Sequence, residues 1–246
     1  MRFEAESVPF GYNLEFDDLL YHQQIVENEY LTTLHPRHTG AVKVGGLPWQ
    51  FSKTPAKIDP KVPIPGEDTE EIMKNGFDKN ILNQTPKTPT ENPELPLKGI
   101  TVIDLTQGVT GPFLGLLTAE AGATVIKIEP PEGDWAKKLA PETSTGNSAL
   151  YESFNRNKKS ITIDLETKDG LSKLREMIGK ADVLIEDWGV DEAEKKELGY
   201  EQLSLDNPGL IYLALSAFGE KGPLRNRPGS ELITQAFTGY LRTLGE

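Results

Sequence analysis

Two stretches of the chain carry residue types suited to holding an anion. Between Ala217 and Gly229 lie Lys221, Arg225 and Arg227 against one acid, Glu220, with Gly219, Gly222, Pro223, Pro228 and Gly229 shaping the backbone. A basic, rigidified loop in an acidic chain is where an anionic ligand would be held; the alternative is ordinary solvated charge. The second stretch, Thr106 to Pro112, sets Gly108 and Gly111 ahead of a proline-started helix. Its backbone N–H groups would point at an anion or a carbonyl, or else its glycines merely permit a tight turn and close helix packing. It is not G-x-G-x-x-G, which disfavours a nicotinamide-dependent oxidoreductase. Arg156, Lys158 and Lys159 form a further basic cluster that, alone, reads as a solvated edge.

Other chemistry is sparse. His22, His35 and His38 all lie near the start, and in His35-Pro36-Arg37-His38 a proline interrupts the spacing with no third ligand in view, so this reads as a turn and no metal is expected. With no cysteine there is no disulfide frame, thiol nucleophile or Cys-based zinc site. Neither G-x-S-x-G nor a P-loop occurs. Asp104 and Asp164 fall within apolar strand-like runs, where an aspartate more often fixes a loop by hydrogen bonding than attacks a substrate.

Charge narrows the partners. In 246 residues, 26 Lys and Arg face 38 Asp and Glu, a formal net charge of -12, which argues against a general nucleic-acid or membrane-surface binder. No apolar run approaches a bilayer's thickness, and residues 1–30 lack the plan of a signal peptide, so a soluble cytoplasmic protein is expected.

The elements that must position these residues follow a strand, loop, helix rhythm after Lys98. Ile100 to Leu105 is a β-rich run, and Gly111-Pro112 opens a helix through Ala121. Further strands are predicted at Thr124–Ile128, Ser160–Leu165, Val183–Ile185 and Leu210–Leu215, with helices at Lys168–Lys180 and Leu232–Leu244. Near-continuous apolar strands separated by helices predict an α/β fold, a Rossmann-like doubly wound parallel sheet. In such a sheet ligands bind beyond the carboxyl ends of the strands, which selects the loops Thr106–Pro112, Glu129–Asp134, Asp187–Asp191 and Ala217–Gly229.

The earlier part of the chain is organised differently. Eight of 18 prolines fall between Pro55 and Lys98, which also holds an acidic run and the polar run Asn83 to Pro93, so residues 55–96 read as a solvated connector. One short helix is predicted within it, capped by Asp68 or Thr69, with Ile72 and Met73 facing inward and Gly76 stopping it. Leu14 to Leu34 has helical apolar spacing, and Ala41 to Leu47 alternates like a strand. This is too little to fold alone and is expected to pack on the sheet.

Several motifs in order carry a family likeness. Leu95-Pro96-Leu97-Lys98-Gly99-Ile100-Thr101-Val102-Ile103-Asp104-Leu105-Thr106, Thr110-Gly111-Pro112 and Ala121-Gly122-Ala123-Thr124-Val125-Ile126-Lys127-Ile128-Glu129-Pro130-Pro131 closely resemble the opening of class III coenzyme A transferases, the CaiB/BaiF family. The likeness continues through Asn155 to Leu165, Ala181 to Trp188, Asn207-Pro208, Ser216 to Gly219 and Gly222-Pro223. His38 to Val44, Phe51 to Ala56 and Pro65 to Ile72 resemble the carboxyl-terminal tail of the same family. Tail thus precedes head: residues 1–54 read as the end of one repeat, 55–96 as a linker, and 97–246 as the start of a second, with the family's small domain absent. A tandem fusion is the simplest account.

The resemblance implies transfer of coenzyme A between carboxylic acids through an aspartyl thioester, with an acyl-CoA and a carboxylic acid as partners and a homodimer as the full-length state. The nucleophilic aspartate is expected beyond Glu246. Val109, Thr110 and Gly111 match the loop that lines the thioester region in the family. Ile163, Asp164 and Leu165, with Asp187, Trp188 and Gly189, match segments that flank the nucleotide. Arg227, from the basic loop, joins them as a candidate contact. Ser230 stands where the racemase branch has His and many transferases Tyr, and Glu231 matches the acidic position beside it. Pro130 and Glu197 replace coenzyme-contacting arginines of one branch, and Glu166 a lysine, which motivates an alternative: a catalytically degenerate repeat kept as a scaffold or dimerisation half.

Overall fold

A computed structural model describes residues 10–35, 40–47, 50–58, 65–75, 95–144, 146 and 148–244. His38, Gly76, the run Asn83 to Pro93 and the Gly245-Glu246 end lie outside the described residues.

Among the described residues, seven strands form two sheets. Leu31–Leu34 (β1) and Val42–Gly45 (β2) make an antiparallel ribbon, with Leu31 opposite Gly45 and Leu34 opposite Val42. Thr101–Asp104 (β3), Thr124–Glu129 (β4), Lys159–Thr162 (β5), Val183–Glu186 (β6) and Ile211–Ala214 (β7) make a parallel sheet in the order β5-β4-β3-β6-β7. Helices Thr110–Glu120, Lys168–Ile178 and Tyr200–Asp206 fill connections between them. The expected doubly wound α/β sheet is therefore what the chain forms.

Period-two alternation on the strands feeds two cores. Val102, Val125 and Ile185 pack with Ala119 and Ala123 on one face. Ile103, Ile128 and Leu184 pack with Leu174, Ile178 and Leu203 on the other. The order reverses at β3, since β4 lies on one side of it and β6 on the other. That is the switch point, where the loops after β3 and β6 diverge and leave a crevice.

Three expectations need correction. Leu14 to Leu34 is not one helix: Phe16–Leu19 and Gln23–Glu27 are short helices, and Leu31 to Leu34 is strand β1. Glu29 takes a left-handed φ of 55°, which ends the helix, and the β-branched Thr32-Thr33 pair suits the strand. The connector helix forms at Thr69–Asn75, but Ile72 and Met73 are exposed and nothing in it is buried. Leu232–Leu244 is broken into Glu231–Phe237 and Tyr240–Leu244 by Gly239, whose φ of 73° no helix continues.

Residues of the first segment contact those that follow β7. Leu19 and Ile25 are buried with Phe218, Ile233 and Phe237, and the Leu14 N–H donates to the Ala236 carbonyl at 3.1 Å. His22 caps the Gln23–Glu27 helix through its ring nitrogen and stands edge-on to Phe237, a structural role. Further along, the Lys53 ammonium donates to the Tyr200 hydroxyl at 2.8 Å.

Candidate functional site

Because the five strands are parallel, their carboxyl ends share one edge, and hydrogen bonds stitch the loops there together. The Gly108 N–H, after β3, donates to Asp134 Oδ1 of the loop after β4 at 3.1 Å. The adjacent Gln107 N–H donates to Asp187 Oδ2 after β6 at 3.0 Å. Arg225, after β7, pairs with Asp191 at 2.6 Å. The loops around Gly111 and Arg227 therefore belong to the same rim.

Beneath the rim lies a network of buried charge. Asp104, at the end of β3, is fully buried; one oxygen meets the Lys158 ammonium at 2.9 Å and the other accepts from the Thr106 N–H at 3.0 Å. Lys158 also donates to the Pro112 carbonyl and to Asn155 Oδ1, so all three of its protons are used. Burial pushes the Lys158 amine down while Asp104 holds it charged. Lys127 points inward from β4 to Asp134 and the Thr106 carbonyl, both at 2.8 Å. Glu129 is also buried, yet Lys137, Ser160, the Asp134 N–H and Tyr151 all donate to it and hold its carboxyl at about 2. Burial, then this carboxylate, pushes the Tyr151 phenol up, so it remains a donor.

At the switch point the balance is opposite. Glu186, ending β6, has a carboxyl raised to about 7 by burial, against the Trp188 N–H and the Tyr212 hydroxyl that donate to it. Burial likewise raises its neighbour Asp187 to about 6. The two adjoining carboxyls turn to different neighbours, Asp187 to the Gln107 N–H of the loop after β3 and Glu186 to Tyr212 of β7.

The candidate residues fall on this rim in different roles. Val109 and Thr110 are exposed and start the Thr110–Glu120 helix, where the N–H groups of Thr110 and Gly111 meet no acceptor among the described residues. Gly111 is buried, and a Cβ there would fall 2.3 Å from Thr106, so close packing demands this glycine. Gly108 has φ 81°, and a Cβ would fall 2.2 Å from the Trp135 ring. The packing reading of both glycines holds, and the Gly108 N–H is already taken by Asp134. After β5, Ile163 is core, Leu165 packs against it, and Asp164 is exposed, accepting from the Glu166 N–H at 3.0 Å. Asp164 lies just past the strand and, as expected, fixes a turn. Trp188 is partly buried and Gly189 turns the chain with φ 97°. Ser230 caps the Glu231–Phe237 helix by accepting from the Ile233 N–H, and Glu231 accepts from Gln235. Arg227 lies over the Phe10 ring at 4.5 Å.

Two readings of charge change. Lys158 is not part of a solvated edge: its side chain is 1% exposed and ion-paired, because the turn leading into β5 delivers it under the Thr110–Glu120 helix beside Asp104. In the basic loop, Arg225 and Arg227 already have partners within the chain, and Lys221 is the loop's exposed cation. Glu166, where one branch has a lysine, pairs with Lys196 at 2.9 Å. Sequence reasoning missed Lys127, Glu129, Asp134, Glu186, Gln24 and Asn28. The available signal was Lys127 itself, a charge inside an otherwise apolar buried strand.

Comparison with known proteins decides the family. The profile of CoA-transferase family III matches residues 1–69 and 97–246. The chain belongs to CoA-transferase family III. Succinate–glutarate CoA-transferase of Agrobacterium fabrum is 39% identical over 166 residues, 65% of this chain and 42% of that protein. The alpha subunit of succinyl-CoA–L-malate CoA-transferase of Chloroflexus aurantiacus is 34% identical over 196 residues, 79% of this chain and 43% of that protein. Among solved structures, a CAIB/BAIF family protein from Brucella suis superposes with a TM-score of 0.56 at 36% identity, covering 60% of this chain and 40% of that one. This family III chain spans about two fifths of the length of these relatives. Among its described residues no helix is long and apolar enough to cross a membrane, and no cluster of three or more His, Cys, Asp or Glu is arranged to hold a metal ion.

Proposed function

We propose that this chain forms the coenzyme-binding rim of a family III CoA-transferase, which moves coenzyme A from an acyl-CoA to a carboxylic acid. One observation carries the reading: the loop that matches the family around Val109 to Gly111 sits at the β3/β6 switch point, with first-turn N–H groups unclaimed. The exposed Lys221 on the same edge is the cation suited to the coenzyme's phosphates. Residues 1–54 act as the tail of one repeat and 97–246 as the head of the next, in keeping with the two matched blocks.

The chemistry needs a carboxylate nucleophile contributed by chain beyond Glu246. That aspartate attacks the thioester carbonyl and expels the thiolate, giving a mixed anhydride. The thiolate then attacks the aspartyl carbonyl and releases the donor acid, leaving an aspartyl thioester that the acceptor acid reverses by the same two steps. In this chain the rim residues bind and orient the substrate.

A second reading has its own support. Lys127, Lys158, Arg225 and Arg227 are all engaged within the protein, which leaves little positive charge for an anionic coenzyme and suits a degenerate scaffold half. Calorimetry with coenzyme A on this chain separates the two. Saturable heat is expected, and none at millimolar ligand rejects the binding reading. On a longer polypeptide, incubation with acyl-CoA followed by mass spectrometry should find coenzyme A on an aspartate; binding without that adduct favours the scaffold.

A further inference from the structure

The turn after β7 is held by more than its own residues: besides local bonds such as that from the Gly219 N–H to the Ser216 hydroxyl at 3.0 Å, it is gripped from the first segment. Gln24, wholly buried in the Gln23–Glu27 helix, donates from its one amide nitrogen to the Phe218 carbonyl at 2.7 Å and the Lys221 carbonyl at 2.5 Å. Its oxygen accepts from the Leu224 N–H at 2.6 Å. Asn28, 1% exposed, donates to the Lys221 carbonyl at 2.8 Å and accepts from the Lys221 N–H at 3.2 Å. Its second proton goes to the Gln24 carbonyl at 2.9 Å, which ties the two amides together. Both peptide groups of Lys221 are therefore read by side chains almost 200 positions away in sequence.

Two glycines let those amides approach. Gly219 and Gly222 have φ of 89° and 85°, and a Cβ would fall 2.3 Å from Asn28 and 2.6 Å from Gln24 respectively. A buried carboxamide with every proton used tolerates no isostere: a carboxylate would lose both donors and face two carbonyl oxygens, and an alkyl group would orphan the loop's polar groups. The Gln24–Asn28 pair contacts the backbone of the turn and leaves the Lys221 side chain pointing out to solvent.

We propose that Gln24 and Asn28 are positioning residues that clamp the turn Phe218 to Leu224, and that the clamp fixes where Lys221 presents its charge to the anionic end of the coenzyme. This rests on the coenzyme-binding reading above. It assigns to the first segment of the chain a role in ligand affinity through the main chain of the turn, without any contact between Gln24 or Asn28 and the ligand.

Hydrogen–deuterium exchange on the whole chain tests the clamp apart from the ligand. In Gln24→Leu, amides of residues 219–227 should exchange at least tenfold faster while those of β3, β4 and β6 stay as protected as in the parent; unchanged exchange in the turn overturns the proposal. Asn28→Asp provides the second variant should Gln24→Leu fail to fold. It keeps the acceptor for the Lys221 N–H and loses the donors, so the turn should be loosened at pH 8 and regain protection as the carboxyl is protonated, a recovery that a mere packing defect would not show. Calorimetry with coenzyme A should give at least a fivefold weaker affinity for either variant and for Lys221→Ala. Faster exchange with undiminished affinity overturns the positioning role. Failure of the parent to bind coenzyme A would overturn the binding reading and with it the ligand role, while exchange would still decide the clamp.

Discussion

Lys158 and Asp104 form a fully desolvated ion pair, and such a pair is informative by what happens when it is broken. Lys158→Met leaves the Asp104 carboxylate buried with only the Thr106 donors, and removing one partner of a buried pair costs about 3–5 kcal/mol. Urea denaturation should show a loss of that size. Asp104→Leu with Lys158→Met should recover much of it, since two apolar groups need no compensation; equal losses in the single and double variants would contradict the pairing. Titration gives a second residue-scale test. The folded-state carboxyl of Glu186 is raised to about 7, so below the ordinary carboxylate range it adds stability in full, and that stability is lost as pH rises through 7. For a shift of this size the loss is on the order of 3 kcal/mol. Glu129, held at about 2, works in the other direction and loses its contribution as the solution is acidified towards that value. Urea midpoints should therefore fall between pH 5 and pH 8, and Glu186→Gln, which copies the protonated acid, should flatten that fall. A slope identical to the parent's would exclude Glu186 as its source.

At the scale of elements, the glycine turn after β3 is a packing joint. Gly108→Ala places a methyl group against the Trp135 ring and imposes a left-handed φ on a residue with a Cβ, at a cost of about 1–3 kcal/mol. Trp135 is half exposed and can swing away, so its fluorescence should shift along with the loss of stability. Trp135→Ala in the Gly108→Ala background should relieve the clash and leave the backbone cost. The sheet was legible in the sequence because apolar runs such as Thr124–Ile128 and Val183–Ile185 admit few other structures once helices separate them. The first segment was not, because Leu19, Leu20, Ile25 and Leu31 satisfy a helical period that Glu29 interrupts by its backbone conformation alone. Lys158 was misread for a related reason: a cation's burial depends on which carboxylate the fold brings to it, and Asp104 lies 54 positions away. Gln24 and Asn28 gave no signal at all, since an amide that reads another segment's main chain leaves no mark on local pattern.

Across the whole molecule, the inward cations have a consequence for charge. Lys127 and Lys158 are paired with buried acids, and Arg225 with Asp191, so these three cations are already engaged in a chain that carries a net charge of -12. On the coenzyme-binding reading proposed above, phosphate recognition at the rim would depend on a few placed donors rather than on a general field, which would make loop order more important than total charge. The first segment supplies that order through a second small core, Leu19 and Ile25 with Phe218, Ile233 and Phe237, together with the carboxamide clamp. Contacts of this kind do not need the connector once formed. A protease site placed between residues 77 and 94 should thus allow the chain to be cut while its two parts continue to co-elute in gel filtration, separating in urea at a concentration that Gln24→Leu lowers. Separation of the parts in native buffer would mean that the covalent link, and not the packed interface, keeps the turn after β7 in place.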